Sequence, residues 1–177
     1  MKTYFRYGRS IGSGPTLYIA SHPDYRVAGV ILHSPISSGL RVLKPTIKQS
    51  PSYDLFPNVE MISHTRCPVF LMHGTDDREV PIVHGRSLVQ NCKNAFDPWW
   101  VEGAGHNDID IRFRKIYFLR IAKFVKYLFE MFSKKTEEDL KTLHKVENWT
   151  INHMYFKKRG VKYILNWIRT VGIYFGV

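Results

Sequence analysis

Three short motifs follow one another along this chain, and their residue types suit acyl transfer. Gly8-Arg9-Ser10-Ile11-Gly12 offers a serine, His73-Gly74-Thr75-Asp76-Asp77 offers carboxylates, and Gly103-Ala104-Gly105-His106 offers an imidazole. A serine hydroxyl attacks a carbonyl when an adjacent base takes its proton, and a carboxylate holds that base in the right tautomer. The order Ser…Asp…His differs from the orders of chymotrypsin- and subtilisin-type sites. Alone, G-x-S-x-G arises by chance in about 6% of chains of this length at average Gly and Ser usage. An acid at the end of an apolar strand, then a His after the next strand, makes the combination specific. Glycine is expected on both sides of Ser10, because the turn is strained and a Cβ at either place would meet neighbouring elements.

Such residues must stand on loops at the ends of strands. Thr3–Tyr7 reads as a short strand entering the turn, followed by a helix that tolerates Pro15 in its first turn. Val27–His33 and Pro68–His73 are apolar, β-rich runs, Val83–Asn91 is a helix, and Trp99–Val101 is the last strand. Ser34–Thr65 holds Pro35, Pro45, Pro51 and Pro57 and reads as loop with short helical turns, placed to build a substrate pocket. The alternation gives an α/β class, a mostly parallel sheet with flanking helices, and the strand-turn-helix around Ser10 points to an α/β-hydrolase type of fold.

Ile111–Phe132 is the longest helix candidate, the closing helix of a domain spanning residues 1–133. Its Arg112, Lys115, Lys123 and Lys126 share one sector, a basic face that suits solvent and also anionic headgroups. Residues 134–177 form a basic, aromatic extension with helical potential at 137–146 and 161–171 and no recognisable motif.

The chain of 177 residues is 44% hydrophobic and 14% aromatic, enough for one domain with a real core. Cys67 and Cys92 give neither a disulfide framework nor metal spacing, which fits a reducing compartment. No signal peptide and no apolar run of membrane-spanning length is read. His73 and His84 lack a helical partner at ligand spacing, so no metal and no cofactor are expected. The net charge of +11 is uneven: residues 1–111 carry eleven Lys/Arg and ten Asp/Glu, residues 112–177 fifteen and five. No nucleic-acid motif accompanies the basic half, so an anionic membrane surface is the preferred partner and nucleic acid is not expected.

Each candidate has a plainer reading. Ser10 could cap a helix, His106 could be a loop histidine, and Asp76 and Asp77 are equally suited by type. His73 is expected to pack at its strand end, and Asp108 to stabilise its loop. Arg6 is an anomaly, a charge in a strand expected to be buried.

The stretches Tyr7–Thr16 (YGRSIGSGPT), Val30–Val42 (VILHSPISSGLRV), Phe56–Ile62 (FPNVEMI), Cys67–Asp77 (CPVFLMHGTDD) and Pro98–Ile109 (PWWVEGAGHNDI) closely resemble the α/β-hydrolase domain-containing 17 family. Its members are serine hydrolases that remove palmitate from cysteine thioesters on membrane proteins. The resemblance implies Ser10 as nucleophile, His106 as base, Asp77 (fifth from His73) as acid, and the Ile11 N–H as one oxyanion donor. It implies S-acylated proteins as partners and the cytoplasmic side of the plasma membrane or endosome as location. The family's lipidated cysteine cluster and first four strands have no counterpart in this sequence, so the carboxyl-terminal half of the fold is expected, with the Thr3–Tyr7 strand at an open edge. A cytosolic location and weak or absent activity are alternatives on that ground. So is a related esterase, lipase or serine peptidase.

Overall fold

The computed structural model describes residues 4–43, 47, 50–132 and the backbone of 174–176. Its strands are β1 (Tyr4–Arg9), β2 (Val27–His33), β3 (Val69–Gly74), β4 (Ala95–Val101) and β5 (Tyr174–Gly176). Its helices are α1 (Ser13–Ser21), α2 (Gly39–Leu43), α3 (Asn58–His64), α4 (Val83–Asn91), α5 (Ile109–Arg112) and α6 (Arg114–Phe132). A 3₁₀ turn over Ser10–Gly12 joins β1 to α1.

The sheet is parallel throughout, in the order β4-β3-β2-β1-β5. β2 and β3 are central and covered on both faces, which is why they read as unbroken apolar runs. Alternate side chains sort to the two faces. Val30, Leu32, Val69 and Leu71 meet Leu17 of α1, Ile62 of α3 and Leu88 of α4. Ile31, Phe70 and Met72 meet Phe118, Ile121, Phe124 and Leu128 of α6 on the other face. Each such buried side chain contributes roughly 1.5–3 kcal/mol over leaving it in water. α6 lies close to the sheet at Gly29, where a Cβ would come within 2.4 Å of Leu128.

Several expectations change. The edge of β1 is not open: β5 pairs with it over Tyr4–Arg6. The rest of the 134–177 extension, with its two expected helices, lies outside the described residues. β4 begins at Ala95, four residues before the expected strand, because Pro98 sits at a register shift on the sheet's edge, where a missing N–H costs no ladder bond. The expected helix from Ile111 is two helices, broken at Phe113. Arg112 therefore leaves the basic stripe and bonds Asp108 at 2.8 Å, while Lys123 and Arg120 pair with Asp97 at 2.9 and 2.7 Å. Arg6 is half-buried, and its Nε has no partner among the described residues.

Candidate active site

The turn after β1 begins with Gly8, whose missing side chain is a packing requirement. A Cβ there would lie 2.7 Å from the Gly12 carbonyl oxygen and 2.7 Å from Thr16 Oγ1. Gly12 differs from expectation: nothing stands within 4 Å of a Cβ built on it. Ser10 itself is left-handed, with φ of 50°, a conformation costing roughly 1–2 kcal/mol for an L-residue. It is no helix cap, since Arg9 and Gly12 hold the N-cap positions of the 3₁₀ turn and α1, without a side-chain cap bond. The strain therefore serves another purpose, and left-handed non-glycine residues gather at functional sites.

Ser13, which the sequence did not single out, ties this turn down. Its buried hydroxyl donates to the Ser10 carbonyl at 2.6 Å and accepts from the Ile36 N–H at 3.3 Å and Asn58 Nδ2 at 3.1 Å. Asn58 Nδ2 also donates to the Ile36 carbonyl at 2.8 Å. One hydroxyl thus joins the Ser10 turn, the loop after β2 and the start of α3.

Beyond β3, Asp77 turns inward and Asp76 outward. Asp77 is 5% exposed and accepts the N–H groups of Glu79 at 3.0 Å and Val80 at 2.8 Å on Oδ1. Its Oδ2 lies 2.7 Å from His106 Nδ1 and 3.3 Å from His73 Nε2. Asp76 is exposed and accepts only from Thr75 Oγ1, at 3.3 Å, among the described residues. Burial raises the affinity of Asp77 for a proton, but the bonds from His73, Val80 and His106 outweigh it and bring the carboxyl down to about 2. The carboxylate stays ionised.

His106 reaches Asp77 from the loop after β4. Gly103 turns this loop at φ of 66°, and its N–H donates to Thr75 Oγ1 at 2.9 Å. Asp108 Oδ2 accepts from Gly105 N–H at 2.9 Å and Arg112 at 2.8 Å, and these bonds hold its carboxyl below the usual range. Donation from Nδ1 to Asp77 leaves Nε2 of His106 as the nitrogen able to accept a proton.

The Ser10 turn and the His106 loop are joined through neighbours. Arg9 Nη2 donates to Asn107 Oδ1 at 2.7 Å, and its other terminal nitrogen lies 3.6 Å from Asp110. Asn107 Nδ2 donates to Glu79 Oε1 at 3.3 Å, which brings in the Asp77 turn. The structure thus bonds His106 to Asp77 directly and connects Ser10 through the residues beside it. Among the described residues the Ser10 hydroxyl has no hydrogen-bond partner. Ile11, whose N–H follows the serine, has a 63% exposed side chain at the lip of the turn.

Beneath the loops lies a buried polar chain. Tyr117 donates to the Tyr7 hydroxyl at 3.3 Å and Tyr7 to His33 Nδ1 at 2.7 Å. Burial first, then the Arg9 charge, lower His33 to about 4. The 34–65 segment lines, with α1, a groove of about 1230 Å³ bounded by Pro15, Tyr18, Phe56, Pro57 and Met61. Ser10, Asp77 and His106 do not line it. Among the described residues no group of three His, Cys, Asp or Glu could hold a metal, and no helix is long and apolar enough to cross a membrane.

No protein-family model matches the chain. It is 43% identical over 121 residues to alpha/beta hydrolase domain-containing protein 17C of Xenopus tropicalis, covering 68% of this chain and 38% of that protein. Protein 17B of Homo sapiens is 43% identical over 119 residues, covering 67% of this chain and 40% of that protein. Among solved structures, Pyrococcus horikoshii acylaminoacyl peptidase superimposes with a TM-score of 0.57 at 17% identity, over 75% of this chain and 25% of that one. Pyrococcus furiosus esterase Pf2001 does so with a TM-score of 0.57 at 15% identity, over 71% of this chain and 53% of that one. The fold is a partial alpha/beta-hydrolase fold. The chain is a homologue of the alpha/beta hydrolase domain-containing 17 proteins and spans about two fifths of the length of these relatives.

Proposed function

We propose that this homologue of the alpha/beta hydrolase domain-containing 17 proteins carries the catalytic residues of a serine hydrolase acting on long-chain acyl thioesters, palmitoyl-cysteine above all. One observation carries the reading: a buried Asp77–His106 pair at 2.7 Å, on loops bonded to the neighbour of a left-handed Ser10.

In this mechanism His106 Nε2 takes the Ser10 proton as Oγ attacks the thioester carbonyl. The Ile11 N–H stabilises the developing oxyanion. The carbon–sulfur bond breaks, the thiol leaves with the proton held by His106, and an acyl-serine remains. Water then gives a proton to His106 and attacks the ester, and return of that proton to Ser10 releases the fatty acid. Asp77 stays ionised throughout and holds the imidazole in place. S-acylated proteins are the partners this chemistry requires.

A fluorophosphonate probe tests the reading, because it labels a serine only when that serine is activated. Labelling that is lost in Ser10→Ala supports it, and an unlabelled chain overturns it. Palmitoyl-thioester peptide against the matching oxygen ester then separates a thioesterase from a general esterase.

A further inference from the structure

Asp77 Oδ2 is approached by two imidazoles, and the hydrolase mechanism uses one. The other, His73, ends β3 with its side chain wholly buried. Its Nε2 lies 2.7 Å from the Val80 carbonyl oxygen. A carbonyl only accepts, so this nitrogen carries a proton. The same N–H faces Asp77 Oδ2 at 3.3 Å, while the Val80 N–H donates to Asp77 Oδ1 at 2.8 Å. Two hydrogen bonds, from His73 to the Val80 carbonyl and from the Val80 N–H to Asp77, together with the close approach of the His73 N–H to Asp77 Oδ2, thus link the three residues around the turn that presents the carboxylate.

The buried imidazole packs closely against α4. A Cβ on Gly85 of α4 would come within 2.6 Å of His73 Nδ1. That nitrogen is buried without a partner among the described residues. An unsatisfied buried acceptor is destabilising, a cost an apolar side chain at this place would avoid. Space-filling alone does not explain a histidine. The other charged or titratable groups near this ring are His106 from the loop after β4, His33 at the end of β2, His84 of α4, and Arg41 of α2, which acts on His84.

We propose that His73 is a positioning residue: by clamping the Asp77–Val80 turn it fixes Asp77 Oδ2 where His106 Nδ1 can bond it. This rests on the hydrolase reading for its consequence in catalysis, but the clamp itself can be measured without any reaction.

The His106 Nδ1 proton shared with Asp77 should give a far-downfield proton resonance, assigned by its loss in His106→Gln. We expect it in the native protein and in Ser10→Ala. It should vanish in His73→Leu, which removes the donor, and return in His73→Gln, whose amide N–H reaches the same place. Gly85→Ala, which pushes the ring while keeping every proton, should weaken it and provides the test if His73→Leu does not fold. A resonance missing from the native protein, or unchanged in a folded His73→Leu or Gly85→Ala, overturns the clamp. Fluorophosphonate labelling should slow by roughly 10²-fold in His73→Leu, the cost of misplacing a catalytic group by about 1 Å, and recover in His73→Gln. An unlabelled native protein whose resonance behaves as expected would defeat the hydrolase reading and leave the clamp standing.

Discussion

His106 Nδ1 and Asp77 Oδ2 meet at 2.7 Å from positions 29 residues apart, while Asp76, one residue away, faces solvent. Two carboxylates of one type therefore differ in their surroundings by direction alone, one buried against an imidazole and the other exposed. Asp77→Asn should slow fluorophosphonate labelling by about 10⁴-fold, since the amide selects the wrong imidazole tautomer. Asp76→Asn should leave the rate unchanged. Equal effects of the two substitutions would remove the assignment.

Ser13 holds three segments with one hydroxyl. Ser13→Ala leaves the Ser10 carbonyl short of a donor and the Ile36 N–H without its acceptor, at a cost of about 1–3 kcal/mol. Denaturant unfolding should show a lower midpoint with an unchanged slope, and labelling of Ser10 should slow as its turn loosens.

Acid should destabilise the protein in two steps. His33 is lowered from an ordinary 6.5 to about 4, so between those values the unfolded chain binds the proton and the folded one does not. Its contribution is fully present above pH 6.5, falls as pH drops toward 4, and amounts to about 3 kcal/mol. Asp77, lowered to about 2, adds a loss of about 2–3 kcal/mol as pH falls from about 4 to 2. Unfolding free energy measured against pH should show a larger upper step in the native protein than in His33→Asn, where only the part from His84, also lowered by burial, remains.

The two glycines of the Ser10 turn should part company on substitution. Gly8→Ala forces a Cβ into the Gly12 carbonyl and Thr16 and should cost about 1–3 kcal/mol. Gly12→Ala meets nothing and, with φ of −61°, should be neutral or slightly stabilising. Thermal unfolding of the two variants decides this.

Anionic membranes are proposed as the surface that the basic face of α6 meets, and Asp97 holds Lys123 of that face together with neighbouring Arg120. Asp97→Asn releases Arg120 and Lys123 and should raise co-sedimentation with anionic vesicles at low salt, each cation adding about 1 kcal/mol. The gain should fade as salt rises. No gain, or an equal gain with neutral vesicles, would count against the proposal.

What the sequence disclosed follows the range over which each feature is determined. β2 and α4 were legible to the residue because a local apolar run and a local helical pattern define them. β4 was read too short because Pro98 looks like a terminator until its place on a sheet edge is known. The break at Phe113 has no marker, since residues on both sides are good helix formers. The choice between Asp76 and Asp77 lay in burial, which composition does not carry, and needed a family pattern. Ser13 and His73 escaped as participants because their partners lie in other elements. The one available hint for His73 was a histidine ending a run buried enough for leucine.

The parallel sheet also bears on how the site comes into being. Neighbouring parallel strands need a crossover between them, so the contacts that join one loop of the site to another span long stretches of chain: 98 residues for Arg9 with Asn107 and 29 for Asp77 with His106. Closing such loops early is entropically unfavourable, and chains dominated by distant contacts fold slowly. No partly folded chain holding only the first two or the last two strands of the β1–β4 set can bring together the Ser10 turn, the Asp77 turn and the His106 loop. During refolding, reactivity at Ser10 should therefore arise after helical structure has recovered, as a late signal that distant strands have found their register.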